Sequence, residues 1–367
     1  MALLKDLSIG GKGNYGIGAS AVDKRDDLYT YLRITDIRDD GTLNMDDLKS
    51  VDDPDAGKYL LRPNDIVFAR TGASTGRNYF YDGSDGTFVY AGFLIKFSID
   101  PSKVNPLYIK YYCQSEQYRN WIRSFSTGST RGNINAQTLG NMDIPLPARE
   151  QQDFLVSILA PLDQKIKQNS LINDNLQQQA QAIYSAMFIS NADPAWVQGR
   201  LSDLITVKYG KDHKKLADGA YPVFGSGGIM RYVERPLYTG ESVLIPRKGT
   251  LNNVMYVNEP FWSVDTMFFT EMKIPNVAKF VFHFVKAKDL ASMNAGSAVP
   301  SMTTDILNAM ELAIPSAERL AEFESVVAPM YQAMQANNRE SSKLAELRDS
   351  LLPKLMSGEV DVSSIQI

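Results

Sequence analysis

The strongest constraint on this chain is that it contains one plan twice. Gly128-Ser129 recurs as Gly296-Ser297, Met142-Asp143 as Met310-Glu311, and Leu146-Pro147 as Ile314-Pro315, each time at an offset of 168. The same register carries Glu150 onto Glu318, Ala160-Pro161 onto Ala328-Pro329, Asn169 onto Asn337 and Leu176 onto Leu344. A fixed long period is the signature of a duplicated structural unit. Upstream the similarity survives while the register drifts: Asp65 to Arg70 resembles Ser242 to Arg247 at 177, and Leu4 to Leu7 resembles Leu201 to Leu204 at 197. Each copy is therefore a variable domain followed by a regular helical part. The boundaries fall at 1–148 and 199–315 for the domains, 149–198 for the first helix with its linker, and 316–367 for the second helix with a C-terminal tail.

The helical parts carry a seam. Leu155, Leu159, Leu162, Ile166, Asn169, Asn173, Leu176, Ala180, Ile183 and Met187 alternate four and three apart, as a heptad repeat requires. Their counterparts are Phe323, Val327, Met330, Met334, Asn337, Ser341, Leu344, Arg348, Leu351 and Leu355. Helices of about 39 residues reach roughly 58 Å at 1.5 Å per residue, long for a globular domain. Pro147 and Pro315 end the preceding elements, and Pro161 and Pro329 are expected to kink each helix near its start. Only about a dozen residues separate Met187 from Leu201, so to bury its seam the second helix must run back along the first. The expectation is an antiparallel pair with Asn169 and Asn173 near Asn337 and Ser341, a polar patch that penalises slipped registers, and a variable domain at each end of a spacer of roughly 50 to 60 Å.

The variable halves read as mixed helix and strand. Asp65 to Arg70 and Val243 to Pro246 are short apolar runs, and Phe88 to Phe97 and Phe261 to Phe269 are aromatic-rich strand candidates. Leu107 to Phe125 and Ala278 to Leu290 read as helices, and Lys211 to Gly219 and Gly225 to Gly228 as loops or tight turns. The fold class is α+β: two mixed α/β domains separated by two long antiparallel coiled-coil helices, in a pseudo-two-fold repeat.

Catalytic chemistry is scarce. One cysteine and two histidines in 367 residues leave little material for a Cys-rich or His-based metal site or a Ser-His-Asp triad. Gly72 to Arg77 is too short for a phosphate-binding P-loop, and the glycines of Gly10 to Gly16 follow no strand. No apolar run approaches the roughly 18 to 20 residues of a membrane helix, and Met1 to Gly10 lacks the character of a signal peptide. The expectation is a soluble cytoplasmic chain without catalytic residues, metal or cofactor of its own.

The net charge of -4 argues against nucleic acid only until it is divided. Asp23 to Asp55 carries 5 basic and 11 acidic residues, which leaves the remainder of residues 1–149 at +6. Local distribution decides affinity for a polyanion. Both copies contain a strand ending in Arg and followed by Gly, as Arg70-Thr71-Gly72 and Arg247-Lys248-Gly249. A guanidinium can grip guanine or phosphate with two prongs while glycine lets the backbone approach closely; the plain alternative is a salt bridge and a turn. Both copies also contain a hydroxyl- and glycine-rich segment, Ser126 to Asn133 and Asn294 to Ser301, able to offer N–H groups to phosphates. The candidate DNA-binding residues are Arg70, Thr71, Ser74, Arg77, Ser129, Thr130 and Arg131 in the first copy. In the second they are Lys211, Lys214, Lys215, Ser226, Arg247, Lys248, Asn252, Ser297 and Ser301.

Ile144 to Gln151, Leu162 to Ile166, Asn173 to Leu176 and the terminal run Leu351 to Glu359 resemble the helical regions of the DNA specificity subunit of type I restriction-modification systems. Tyr221 to Ile229, with Gly249-Thr250 and Phe261-Trp262, resembles a class of target recognition domain in that family. The second copy departs from the first at Glu318-Arg319, and Arg348 enters the seam. The resemblance implies a non-catalytic subunit that binds double-stranded DNA at a bipartite asymmetric site, one half per domain, with the gap set by the helices. It further implies methyltransferase (modification) and endonuclease/translocase (restriction) subunits as partners, to which S-adenosylmethionine, ATP and magnesium would belong. Two other readings are the recognition part of a single-chain methyltransferase-nuclease, which the missing catalytic motifs disfavour, and a coiled-coil scaffold without DNA binding.

Overall fold

The computed structural model describes residues 1–45, 47–125, 133–293 and 301–359. The chain divides into two units, Met1–Gln168 with Glu340–Ile367, and Asn169–Arg339, so that each unit holds part of both long helices.

In the first unit a four-stranded antiparallel sheet runs in the order Asn14–Tyr15, Leu94–Ser98, Asp65–Ala69, Asn78–Tyr81. A second sheet runs Ala21–Val22, Lys49–Val51, Tyr29–Leu32, Phe88–Tyr90, its last pair parallel. The run Phe88 to Phe97 is thus two strands, because the chain turns at Ala91–Phe93, where the Leu94 N–H donates to the Ala91 carbonyl at 2.8 Å, and passes from one sheet to the other. The second unit repeats this. Its antiparallel sheet is ordered Ile205–Tyr209, Met267–Met272, Glu241–Pro246, Met255–Asn258. Its second sheet, Gly228–Val233, Asp218–Gly225, Trp262–Ser263, again ends in a parallel pair. Phe261 to Phe269 is interrupted in the equivalent way, by a turn in which the Met267 N–H donates to the Val264 carbonyl at 2.9 Å. A two-stranded antiparallel ladder accompanies each copy, Ala2–Leu3 with Asp143–Ile144 and Val197–Arg200 with Glu311–Ile314.

The helix expected over Leu107 to Phe125 is two, Pro106–Tyr112 and Glu116–Ser124. Ser115 breaks the run because its hydroxyl accepts from the Tyr118 N–H at 3.3 Å, the geometry of an N-cap rather than of a helix interior. Its counterpart in the second unit, Ala278–Lys286, is a single helix buried along most of its length.

The long helices span Arg149–Ser185, followed by one π turn at Ala186–Ser190, and Ala317–Ser357. Pro161 and Pro329 end neither helix, and both lie on exposed positions. In the first unit Asp163 meets Arg348 at 3.0 Å and Lys165 meets Glu340 at 3.3 Å, so one helix number rises as the other falls. In the second unit the Asn169 Nδ2 donates to the Asn337 carbonyl at 3.3 Å, the Asn173 Nδ2 to Asn338 Oδ1 at 2.7 Å, and the Asn337 Nδ2 to Asn173 Oδ1 at 2.9 Å. Further along the first helix, Tyr184 packs against Phe323, earlier in the second, so within each unit the helix segments are antiparallel. The seam residues Leu155, Leu159, Leu162, Ile166, Asn169, Leu176, Ile183, Val327, Met330, Met334, Asn337, Leu344 and Leu351 are all buried or half-buried. Leu155, Leu159, Leu351 and Leu355 pack into the first unit's apolar core, and Ile183, Val327, Met330 and Met334 into the second's.

Each unit fastens its domain to these helices through a polar anchor. In the first, Asp163 accepts from Lys110 Nζ at 2.5 Å, Tyr111 OH at 3.0 Å and Arg348 Nη1 at 3.0 Å. Burial pushes the Asp163 carboxyl up, but Lys110 and Arg348 outweigh it and hold it below the usual carboxylate range. Arg348, out of place in an apolar seam, is there because Asp163 answers it. The second unit has a charged contact, Lys279 Nζ to Glu324 at 2.6 Å, and beside it a neutral cluster: His283 bonds Gln181 through Nδ1 at 2.8 Å and Tyr331 through Nε2 at 2.9 Å, and stacks on Tyr184. Burial, with the nearby Lys286 adding to it, pushes the His283 imidazole down to about 4. Tyr331 stands 168 residues after Asp163, so one position of the repeat carries a charged anchor in one copy and a neutral one in the other.

Candidate nucleic-acid interface

The strand-end arginines occupy the same place in both units. Arg70 follows the strand Asp65–Ala69, whose Ala69 pairs with Leu94; the next residue, Ile95, pairs with Tyr15 on the sheet edge. Arg247 follows Glu241–Pro246, whose Pro246 pairs with Met267; the next residue, Phe268, pairs with Tyr209 on the sheet edge. The arginine N–H donates to Phe93 O at 3.0 Å in one copy and to Thr266 O at 2.9 Å in the other. Its carbonyl accepts from Ile134 N at 2.9 Å and from Met302 N at 3.0 Å.

In both copies the guanidinium lies against an edge-strand tyrosine. Arg70 Cζ is 5.2 Å from the Tyr15 ring centroid and Arg247 Cζ 5.4 Å from that of Tyr209, within cation–π range. Among the described residues neither guanidinium forms an ion pair. Arg247 Nη1 makes a single long contact to the Asp265 carbonyl at 3.4 Å, while Arg70 Nε is buried without a hydrogen-bond partner. A salt bridge is therefore not what these arginines are for. A turn they do have: Gly72 and Gly249 take φ values of 74° and 85°, a region that favours glycine.

Tyr15 and Tyr209 were not among the sequence candidates. Each precedes a glycine that the fold requires, since a Cβ on Gly16 would come within 2.3 Å of the Ala91 carbonyl oxygen and one on Gly210 within 2.0 Å of the Val264 carbonyl oxygen. The Tyr-Gly dipeptide recurs at an offset of 194, between the registers of the flanking similarities, and that was the available signal.

The remaining candidates divide. The bridges Thr71 to Asn133 and Lys248 to Ser301 bring the arginine turn of each unit to the flank of the hydroxyl-rich segment. Ser129, Thr130, Arg131 and Ser297 lie outside the described residues. Lys211, Lys214 and Lys215 are exposed on the segment that follows Tyr209-Gly210, with the Lys211 carbonyl held by Trp262 Nε1 at 2.8 Å. Ser226 sits at the tip of the hairpin Asp218–Gly225 and Gly228–Val233, beside Gly249: a Cβ there would meet Ser226 Oγ at 2.6 Å. Three candidates are engaged internally. Arg77 pairs with Asp39 at 2.6 Å, Ser74 is buried in the turn Gly72–Ser74, and Asn252 donates to Asp289 at 3.0 Å and accepts from Ala291 N at 3.0 Å.

The chain is thus a duplicated α+β domain, each copy presenting beside a glycine turn an arginine with no ion pair among the described residues. The family profile described as Type I restriction modification DNA specificity domain matches this chain twice, over residues 23–178 and 195–322. The chain belongs to that family: it is a non-catalytic specificity subunit of a type I restriction-modification system, built on DNA sequence recognition domains. The specificity subunit of the type I restriction enzyme HindI from Haemophilus influenzae is 20% identical over 452 residues, covering 92% of this chain and 97% of that protein. The MjaIX specificity subunit of Methanocaldococcus jannaschii is 21% identical over 301 residues and 70% of each chain. In fold, the chain is similar to the crystal structure of the type I restriction-modification S subunit from M. genitalium, with a TM-score of 0.55 at 18% identity over 96% of this chain and 95% of that one. Among the described residues no helix is long and apolar enough to cross a membrane.

Proposed function

We propose that this subunit reads a bipartite asymmetric DNA site, one half per recognition domain, and that the long helices set the gap between the halves. The domains extend over 1–148 and 199–315, and the helices with their linker and tail over 149–198 and 316–367. The observation that carries this reading is the recurrence of one arrangement, an arginine without an ion pair among the described residues lying over an edge-strand tyrosine ring, at the same sheet position in two domains that otherwise differ in sequence. Two copies of one contact device with different surroundings suit two half-sites of different sequence, because groove readout depends on the side chains around the anchor. DNA contact is assigned to Arg70, Thr71, Lys211, Lys214, Lys215, Ser226, Arg247, Lys248 and Ser301. Methylation and cleavage belong to the methyltransferase and endonuclease subunits that this chain brings to the site, together with their S-adenosylmethionine, ATP and magnesium. The test is the methylome of cells expressing the chain with its cognate methyltransferase subunit: a single two-part motif is expected. Methylation at a continuous motif, or methylation independent of this chain, refutes the reading.

A further inference from the structure

The tyrosines have no role in the reading above, yet they are the feature that makes the two arginine positions alike. Three independent observations single them out. Each lies at the end of an edge strand, one residue out of register with the residue before the arginine, across the same intervening strand. Each tyrosine remains substantially exposed, 44% for Tyr15 and 52% for Tyr209, although both flank a domain core rich in buried aromatics. Each is followed by a glycine whose missing Cβ lets the chain press against the carbonyls of the second sheet, which locks the backbone of the tyrosine.

A free arginine side chain has many rotamers, and a base contact must overcome that entropy when it orders the group. Stacking on a fixed aromatic face orders the plane of the guanidinium before DNA arrives, and leaves its in-plane N–H edge to make paired hydrogen bonds. A planar donor edge matches the O6 and N7 acceptors of guanine.

We propose that Tyr15 and Tyr209 are matched positioning residues that hold Arg70 and Arg247 for base-edge recognition, one pair per half-site. This rests on the recognition reading above. The Tyr15 hydroxyl also accepts the Ala136 N–H at 3.2 Å, which ties the first pair to the helix Ala136–Gly140; among the described residues the Tyr209 hydroxyl makes no such bond, so the second copy is the cleaner place for the conservative variant.

The experiment uses the full chain with its methyltransferase partner and reads the methylation rate on duplexes carrying the motif found for the wild type, with each base of each half substituted in turn. Arg247→Ala is expected to slow methylation tenfold or more and to relax preference at one or two positions of one half-site, with Arg70→Ala acting on the other half. Tyr209→Ala should reproduce the loss in the same half at roughly three- to fivefold, the size of an exposed cation–π contact. Tyr209→Phe, which keeps the stack, should recover most of it. In an Arg247→Ala background, Tyr209→Ala should add nothing. Full additivity of the two substitutions, or wild-type rates in Tyr15→Ala and Tyr209→Ala with both proteins folded by circular dichroism and assembled with the partner, overturns this inference alone. A wild-type complex that methylates no two-part motif overturns the recognition reading and this inference with it.

Discussion

His283 offers a test of how a recognition domain is fastened to its helices, because its state is set by burial and can be changed with pH alone. Its ring is fully buried between Gln181 and Tyr184 of the first long helix and Tyr331 of the second, and is pushed down to about 4. The histidine of the unfolded chain titrates near 6.5. The folded state therefore binds fewer protons than the unfolded state between these values, and stability falls as pH drops below about 6.5. The full difference corresponds to about 3 kcal/mol, and about 2 kcal/mol of it should be lost between pH 7 and pH 5. Many carboxylates titrate near the bottom of this range, so the effect has to be separated by a variant. His283→Gln retains a neutral group able to bond Tyr331 or Gln181 and cannot be protonated. In urea denaturation followed by circular dichroism, the wild type should be the more stable at pH 7, and its advantage over His283→Gln should shrink by about 2 kcal/mol on going to pH 5. Parallel pH profiles for the two proteins would refute the claim that His283 is buried neutral.

The charged anchor of the first unit should respond differently: Asp163→Ala leaves Lys110 largely buried without a counter-charge and Arg348 with only the exposed Asp349, and is expected to cost about 3 kcal/mol in the same urea assay. Adding Arg348→Met to that variant should recover part of the loss by replacing a half-buried charge that only the exposed Asp349 answers with an apolar seam residue, and a loss under about 0.5 kcal/mol for Asp163→Ala would show that the pair is dispensable. Matched seven-residue insertions after Leu176 and Leu344 preserve both seams and add roughly 10 Å of helix, about three base pairs of DNA. The methylome should then show the same two half-sites with a gap longer by about that amount, whereas an unchanged gap in a folded, assembled variant would show that the helices do not set it.

What the sequence determined by itself is what depends on spacing along one helix or on exact recurrence. The 168-residue register, the two long helices and the meeting of Asn169 and Asn173 with Asn337 were legible because a helix repeats every 3.6 residues, so contacting faces are written into local spacing. The arginine turns were visible for a similar reason, as the same tripeptide pattern ends an apolar run in both copies. Tertiary structure alone decided what partners those arginines. Tyr15 and Arg70 are 55 residues apart, Tyr209 and Arg247 only 38, because insertions of different length intervene in each copy. A strand contributed from still further along the chain, Leu94–Ser98 or Met267–Met272, sets their register. Sheet pairing is non-local, so no periodicity announces it. The same limit explains why Phe88 to Phe97 and Phe261 to Phe269 read as single strands, since the passage from one sheet to another leaves the apolar run unbroken. It explains Arg77 too, which composition alone places beside Arg70 as a free cation but whose guanidinium the fold delivers to Asp39, 38 residues earlier in the chain. Whether an arginine is free for a ligand depends on which carboxylates the fold brings within a few ångströms of it, and that is a property of the folded chain and not of its order.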